Sequence, residues 1–222
     1  MSWTGFAAVF VAFFLTHSIP VRPAVKSRIV GVVGARGFTI GYSALSIGML
    51  ALLIWAAGQA PYIQLWPQMG WQRHLVHVGM LAVCLILALS IARPNPFSFG
   101  GARNTEFDPS RPGIVRWLRH PILLALALWA GLHLLPNGDL AHVILFGVLG
   151  TFAIAGRAII DRRNRRLKGA AVWKDLRSRV ASGPRFHAPL SWGGLGIRLG
   201  LAVAGFTLLL WMHPVVIGVS AL

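Results

Sequence analysis

Six runs of mainly apolar residues, at roughly 2–19, 38–57, 74–92, 118–135, 140–160 and 195–219, dominate this 222-residue chain. Each is close to the ~20 helical residues that cross a ~30 Å hydrocarbon core. Inside a membrane the backbone must satisfy its own hydrogen bonds, and long apolar runs without alternation do so as helices. The expected fold is therefore all-α: a polytopic integral membrane protein, a bundle of about six transmembrane helices. Composition agrees, with 56% hydrophobic and 12% charged residues. That is about half the charge of a soluble domain, and apolar content this high excludes disorder.

The formal charge is +16, from 21 Lys and Arg against 5 Asp and Glu. A nucleic-acid reader would carry such charge on a soluble basic face; here it sits in loops, so no nucleic-acid partner is expected. Arg22, Lys26, Arg28 and Arg36 lie between runs one and two, and Arg93, Arg103, Arg111, Arg116 and Arg119 between three and four. Nine more, from Arg162 to Arg185, lie between five and six, whereas Arg73 is alone on the other side. By the positive-inside rule the three basic loops are cytoplasmic and both termini face outward. The first run lacks a charged leading region and a small-x-small cleavage site, so it is expected to remain as a helix.

Residues 1–222 thus read as a single transmembrane domain with a basic, cytoplasmic, amphipathic segment at about 161–194. There Val172, Trp173, Leu176 and Val180 recur at helical spacing among arginines and lysines, the pattern of an interfacial helix on an anionic inner leaflet. Gly37-x-x-x-Gly41 and Gly193-Gly194-Leu195-Gly196 read as helix-packing sites. Pro136-Asn137-Gly138-Asp139 folds runs four and five into a tight hairpin, with Asp139 as N-cap of the fifth.

Chemistry has few candidates. Cys84 is the sole cysteine and lies inside run three, so disulfides and covalent haem attachment are unavailable. An ionisable side chain at membrane depth is a functional suspect by default, and there are eight histidines. His17 and His120 fall in the inner half; His74, His77, His133, His142 and His213 fall in the outer half; His187 is in the basic loop. A planar cofactor held by two histidines needs them at similar depth. His77 and His133 meet that condition, each roughly 8 Å outward of its span midpoint, with His17 and His120 as the inner alternative. The acids Glu106, Asp108, Asp139, Asp161 and Asp175 offer little zinc coordination, and no His-Glu-x-x-His is present. No Ser-His-Asp or Cys-His arrangement is expected. Histidine-only ligation of a haem is the natural option. Arg157 and Asp161 are four residues apart and can pair on one helix face; with Arg119 and His120 they form an inner group suited to an anion, a carboxylate or a haem propionate, or to a structural ion-pair cluster.

The stretch Gly113-Ile114-Val115-Arg116-Trp117-Leu118-Arg119-His120-Pro121, then Leu128-Trp129-Ala130-Gly131-Leu132-His133 through Asp139, then Phe146-Gly147 and Ile160-Asp161-Arg162-Arg163, resembles the NnrU family. Thr16-His17-Ser18, Gly34-Ala35-Arg36-Gly37, Tyr42-Ser43 and Leu52-Leu53-Ile54-Trp55 also fit its pattern. The resemblance implies a multi-pass bacterial inner-membrane protein associated with nitrite and nitric oxide respiration, that is, denitrification. It is similar to the 15-cis-zeta-carotene isomerases, membrane enzymes that hold haem b through histidines, and so implies haem b, a hydrophobic small-molecule substrate or a respiratory partner protein. His17, His120 and His133 fall on the shared histidines, whereas Ala130 stands where the isomerase has a cysteine. The resemblance favours His17 with His133 as iron ligands; depth favours His77 with His133, and the partner stands open between them. Arg119-His120-Pro121 also resembles membrane methyltransferases that bind S-adenosylmethionine, but their acidic pair is replaced here by Asp161-Arg162-Arg163. A non-enzymatic accessory factor for an oxidoreductase is the third alternative.

Overall fold

The structure is a computed structural model that describes residues 1–186 and 188–220; His187 lies outside the described residues. Among those, the chain forms seven α-helices: α1 (Trp3–Ser18), α2 (Pro23–Gly58), α3 (Gly70–Ser90), α4 (Pro121–Leu134), α5 (Leu140–Lys168), α6 (Ala170–Ser182) and α7 (Trp192–Ile217). Two short 3-10 segments, Asn104–Glu106 and Gly113–Arg116, lie between α3 and α4, and the described residues contain no strand. The local signals are sound. Ser2 and Ser191 cap α1 and α7 by accepting the N–H of Gly5 at 3.1 Å and of Gly194 at 3.0 Å. Pro23 and Pro121 open α2 and α4, where a missing N–H is no loss.

Among the described residues, four helices are long and apolar enough to cross a membrane: α2, α3, α5 and α7. The other two expected spans, α1 and α4, have 16 and 14 residues, or about 24 and about 21 Å at 1.5 Å per residue. The region between runs one and two is not a loop. α2 begins at Pro23 and runs for 36 residues, interrupted only at Gly34, whose φ of 74° and ψ of 166° break the helix. Glycine alone adopts that conformation without strain.

The chain divides into two compact units. The first is Met1–Trp66 with Gly138–Leu145. There α1 packs on α2, and Phe6, Phe13, Phe38, Leu53, Ala56 and Ala57 are buried. The N–H groups of Leu65 and Trp66 both donate to the Gly138 carbonyl, at 2.7 and 3.1 Å, and that of Leu140 donates to Ile63 at 2.9 Å. A Cβ on Gly138 would fall 2.1 Å from the Trp66 carbonyl oxygen, which is why the turn needs glycine. Asp139 caps α5 as expected, accepting the His142 N–H at 3.2 Å.

The second unit is Pro67–Asn137 with Phe146–Leu222. In it α3 packs against both α4 and α7. The close approaches are at Gly79, where a Cβ would meet Leu132 at 2.5 Å, and at Gly150 and Gly156, which face Ala130 and Leu123. The glycines singled out in the sequence do not serve that purpose, since Gly41 and Gly196 face open space. The amphipathic segment also differs from expectation. α6 is amphipathic, but its apolar face is covered by protein: Trp173 and Val180 are buried with Phe97 and Val115, flanked by Phe107, Ile114 and Leu176. The segment joining α3 to α4 supplies that cover because it is tied down. Asn95 donates to the Arg119 carbonyl at 3.1 Å and accepts the Phe97 N–H at 3.0 Å. Asn164 donates to the Phe97 carbonyl at 2.6 Å and Lys168 to that of Pro96 at 2.8 Å.

Candidate functional site

Two groups of polar side chains lie at the two ends of α4. At its N-cap is His120, only 4% exposed. Its Nε2 is 3.0 Å from Asp161 Oδ1 on α5, and its Nδ1 is 3.1 Å from Ser98 Oγ. Asp161 Oδ2 accepts from Arg119 Nη2 at 2.6 Å. One carboxylate thus holds both residues that precede Pro121. The expected pair within α5 does not form. Asp161 is committed across helices, and Arg157 Nε instead donates weakly to the Ile154 carbonyl of its own helix at 3.4 Å. Arg119, His120, Arg157 and Asp161 do converge, around an open cleft of about 430 Å³ whose other walls are Trp117, Leu118, Leu124, Ile154 and Ala158.

The sequence gives no sign of the hydroxyl–imidazole–carboxylate chain Ser98–His120–Asp161, because Ser98 arrives from a loop 22 residues upstream of His120. Ser98 does not line the cleft, and Asp161 is already neutralised by Arg119, so the chain fixes His120 rather than activating a nucleophile. Both ring nitrogens of His120 are engaged, which leaves no lone pair for a metal. Beside the cleft, three guanidinium groups face the ring of Trp173: Arg165 at 4.4 Å, Arg177 at 5.4 Å and Arg119 at 5.8 Å. Such cation–π contacts contribute about 0.5–2 kcal/mol each.

At the other end of α4, His77 of α3, His133 of α4 and His213 of α7 line one cavity of about 130 Å³, together with Arg73, Gln68 and Asn137. His133 Nδ1 is 2.8 Å from the Trp129 carbonyl. A carbonyl only accepts, so Nδ1 carries the proton and Nε2 keeps the lone pair, the tautomer a metal ligand needs. His213 is set the same way by the Val219 carbonyl at 2.7 Å. The His133 ring lies between Trp129 and Phe146, with centroids 5.1 and 5.3 Å away. Sequence reasoning did not place Arg73 at this cavity; its position four residues before His77 on α3 is the signal that could have done so.

The remaining histidines are placed as follows. His74 is exposed. His142, in the first unit, pairs with Asp139 at 2.7 Å. His17, also in the first unit, stacks on Phe13 with centroids 4.0 Å apart, and its Nδ1 is 3.0 Å from the Phe13 carbonyl. Tyr42 donates its hydroxyl to the His17 carbonyl at 3.0 Å. Among the described residues no group of three or more His, Cys, Asp or Glu is placed to hold a metal ion. A haem iron needs only two axial ligands, and His133 has the tautomer that one of them requires. The volume does not suit it: about 130 Å³ is well under the ~300–1,000 Å³ of a cofactor cleft, so this cavity does not enclose a macrocycle.

Apolar helices of membrane length, in a chain that is all-helical among the described residues, define a helical membrane protein with imidazoles carried on its helices. Residues 5–221 match the family model described as NnrU protein, and the chain belongs to that family. No curated protein and no solved structure matches it.

Proposed function

We propose that this protein binds haem b non-covalently in the bacterial inner membrane, with His133 as one iron ligand and His77 as the other, and works in nitrite and nitric oxide respiration or in a haem-dependent isomerase-type reaction. One observation carries the reading: histidines from three different helices, His77, His133 and His213, line one cavity, and His133 has its proton directed to a backbone carbonyl so that Nε2 is available. Arg73, in the same cavity, suits a propionate. The topology proposed with it has six spans, with basic loops inside and both termini periplasmic. Haem binding requires more room than the cavity has, so α7, which packs on α3 at this cavity, would have to move aside.

Protein purified in detergent from haem-replete cells should show a Soret band of low-spin, two-histidine character. His133→Ala should reduce it by at least fivefold and His77→Ala should convert it to a high-spin spectrum. Purified protein with no Soret absorbance overturns the reading.

A further inference from the structure

The cleft at the N-terminal end of α4 is a binding site in its own right. Five carboxylates serve the whole chain, and each is paired elsewhere: Glu106 with Arg103, Asp108 with Ser110, Asp139 with His142, Asp161 with Arg119 and His120, and Asp175 with Arg179. Arg157 lines the cleft with no carboxylate partner among the described residues. Its guanidinium is exposed at the cleft, so its donors are free to meet an anion from outside the chain. Arg119 lines the same cleft with one guanidinium nitrogen held by Asp161, and Arg165 and Arg177 stand over Trp173. Asp161 and His120 also line the cleft but are bound to one another and to Arg119; the other lining residues, Trp117, Leu118, Leu124, Ile154 and Ala158, are apolar, and the volume of about 430 Å³ is that of a small-molecule site. An inorganic ion would leave those walls wet; a headgroup with its acyl chains attached would cover them.

We infer that this cleft binds the phosphate of an anionic phospholipid, with Arg157 as its principal contact, Arg119 as the second and the apolar wall against the first carbons of the chains. Guanidinium suits this because its donors form two parallel bonds to phosphate oxygens. The histidine cavity at the other end of α4 has no part in it, so the two readings fail separately.

The test is a binding titration on the full chain in detergent, with dioctanoyl phosphatidylglycerol, dioctanoyl phosphatidylcholine and inorganic phosphate as probes. The anionic lipid should bind at least tenfold more tightly than the choline lipid, and inorganic phosphate should not compete at equal concentration. Arg157→Gln should weaken the anionic lipid about tenfold while leaving the thermal midpoint and any Soret band unchanged, and Arg157→Lys should retain most of the affinity. Equal binding of the two lipids, an unaffected Arg157→Gln, competition by inorganic phosphate at lipid concentrations, or displacement of the lipid by S-adenosylmethionine would each overturn the inference.

Discussion

With 21 basic and 5 acidic residues, the position of each carboxylate decides which cations are left over. Asp161 is the most heavily used, held by a guanidinium at 2.6 Å and an imidazole at 3.0 Å. Removing one member of such a cluster leaves charge uncompensated where water is scarce, and costs about 3–5 kcal/mol when the site is fully buried. Arg119 is 31% exposed, so Asp161→Leu should sit at the low end, about 2–3 kcal/mol, read as a lowered thermal midpoint in detergent. Ser98→Ala should cost only about 1 kcal/mol, one neutral hydrogen bond. Legibility at this scale was uneven. The cluster of Arg119, His120, Arg157 and Asp161 could be assembled from depth and helix spacing, but the pairing within it could not. Asp161 can reach Arg157 along α5 or Arg119 across to the next element, and spacing alone gives no weight to the second. Ser98 left no mark because its approach depends on a loop whose path is set by Asn95 and Phe97.

At the scale of elements, α6 shows why an amphipathic pattern identifies a face but not what covers it. Val172, Trp173, Leu176 and Val180 read equally well as a stripe facing lipid or protein. The structure covers Trp173 and Val180 with Phe97 and Val115. Trp173→Ala should therefore cost about 3–5 kcal/mol as an unfilled core position, whereas Val172→Ala, at a residue 59% exposed, should stay within about 0.5 kcal/mol; denaturation in detergent separates the two. α7 offers a second test at this scale. Met80 and Leu210 line the histidine cavity from α3 and α7. A reducible cross-link between Met80→Cys and Leu210→Cys, in a Cys84→Ser background, should hold that wall shut. The Soret band should fall on oxidation during haem loading and return on reduction; an unchanged band would mean that haem does not enter past α7. Of the elements, the cap at Asp139 and the long apolar helices were readable in the sequence. The helical start of α2 was not, because four basic residues between two apolar runs resemble a loop until Gly34 is seen as a break within a helix.

For the whole molecule, the one-sided charge makes the topology open to experiment. Cysteines placed at Ser27 and Ser182, with Cys84 changed to serine, should label with an impermeant maleimide only in inverted vesicles, and one at Gln59 only in intact spheroplasts. Labelling of Ser182→Cys from outside would reverse the assignment of the basic loops. The length of α4 bears on the same membrane. Its 14 residues reach about 21 Å, roughly 9 Å less than a ~30 Å hydrocarbon core. Arg119 and His120 at one end and Asn137 beyond the other mean that the shortfall cannot be made up with apolar side chains. In the six-span topology proposed above, the bilayer would be pinched around this helix, or water would reach in to meet its ends. The two clusters of nitrogen donors, one at each end of α4, therefore lie closer together than the thickness of an undisturbed membrane.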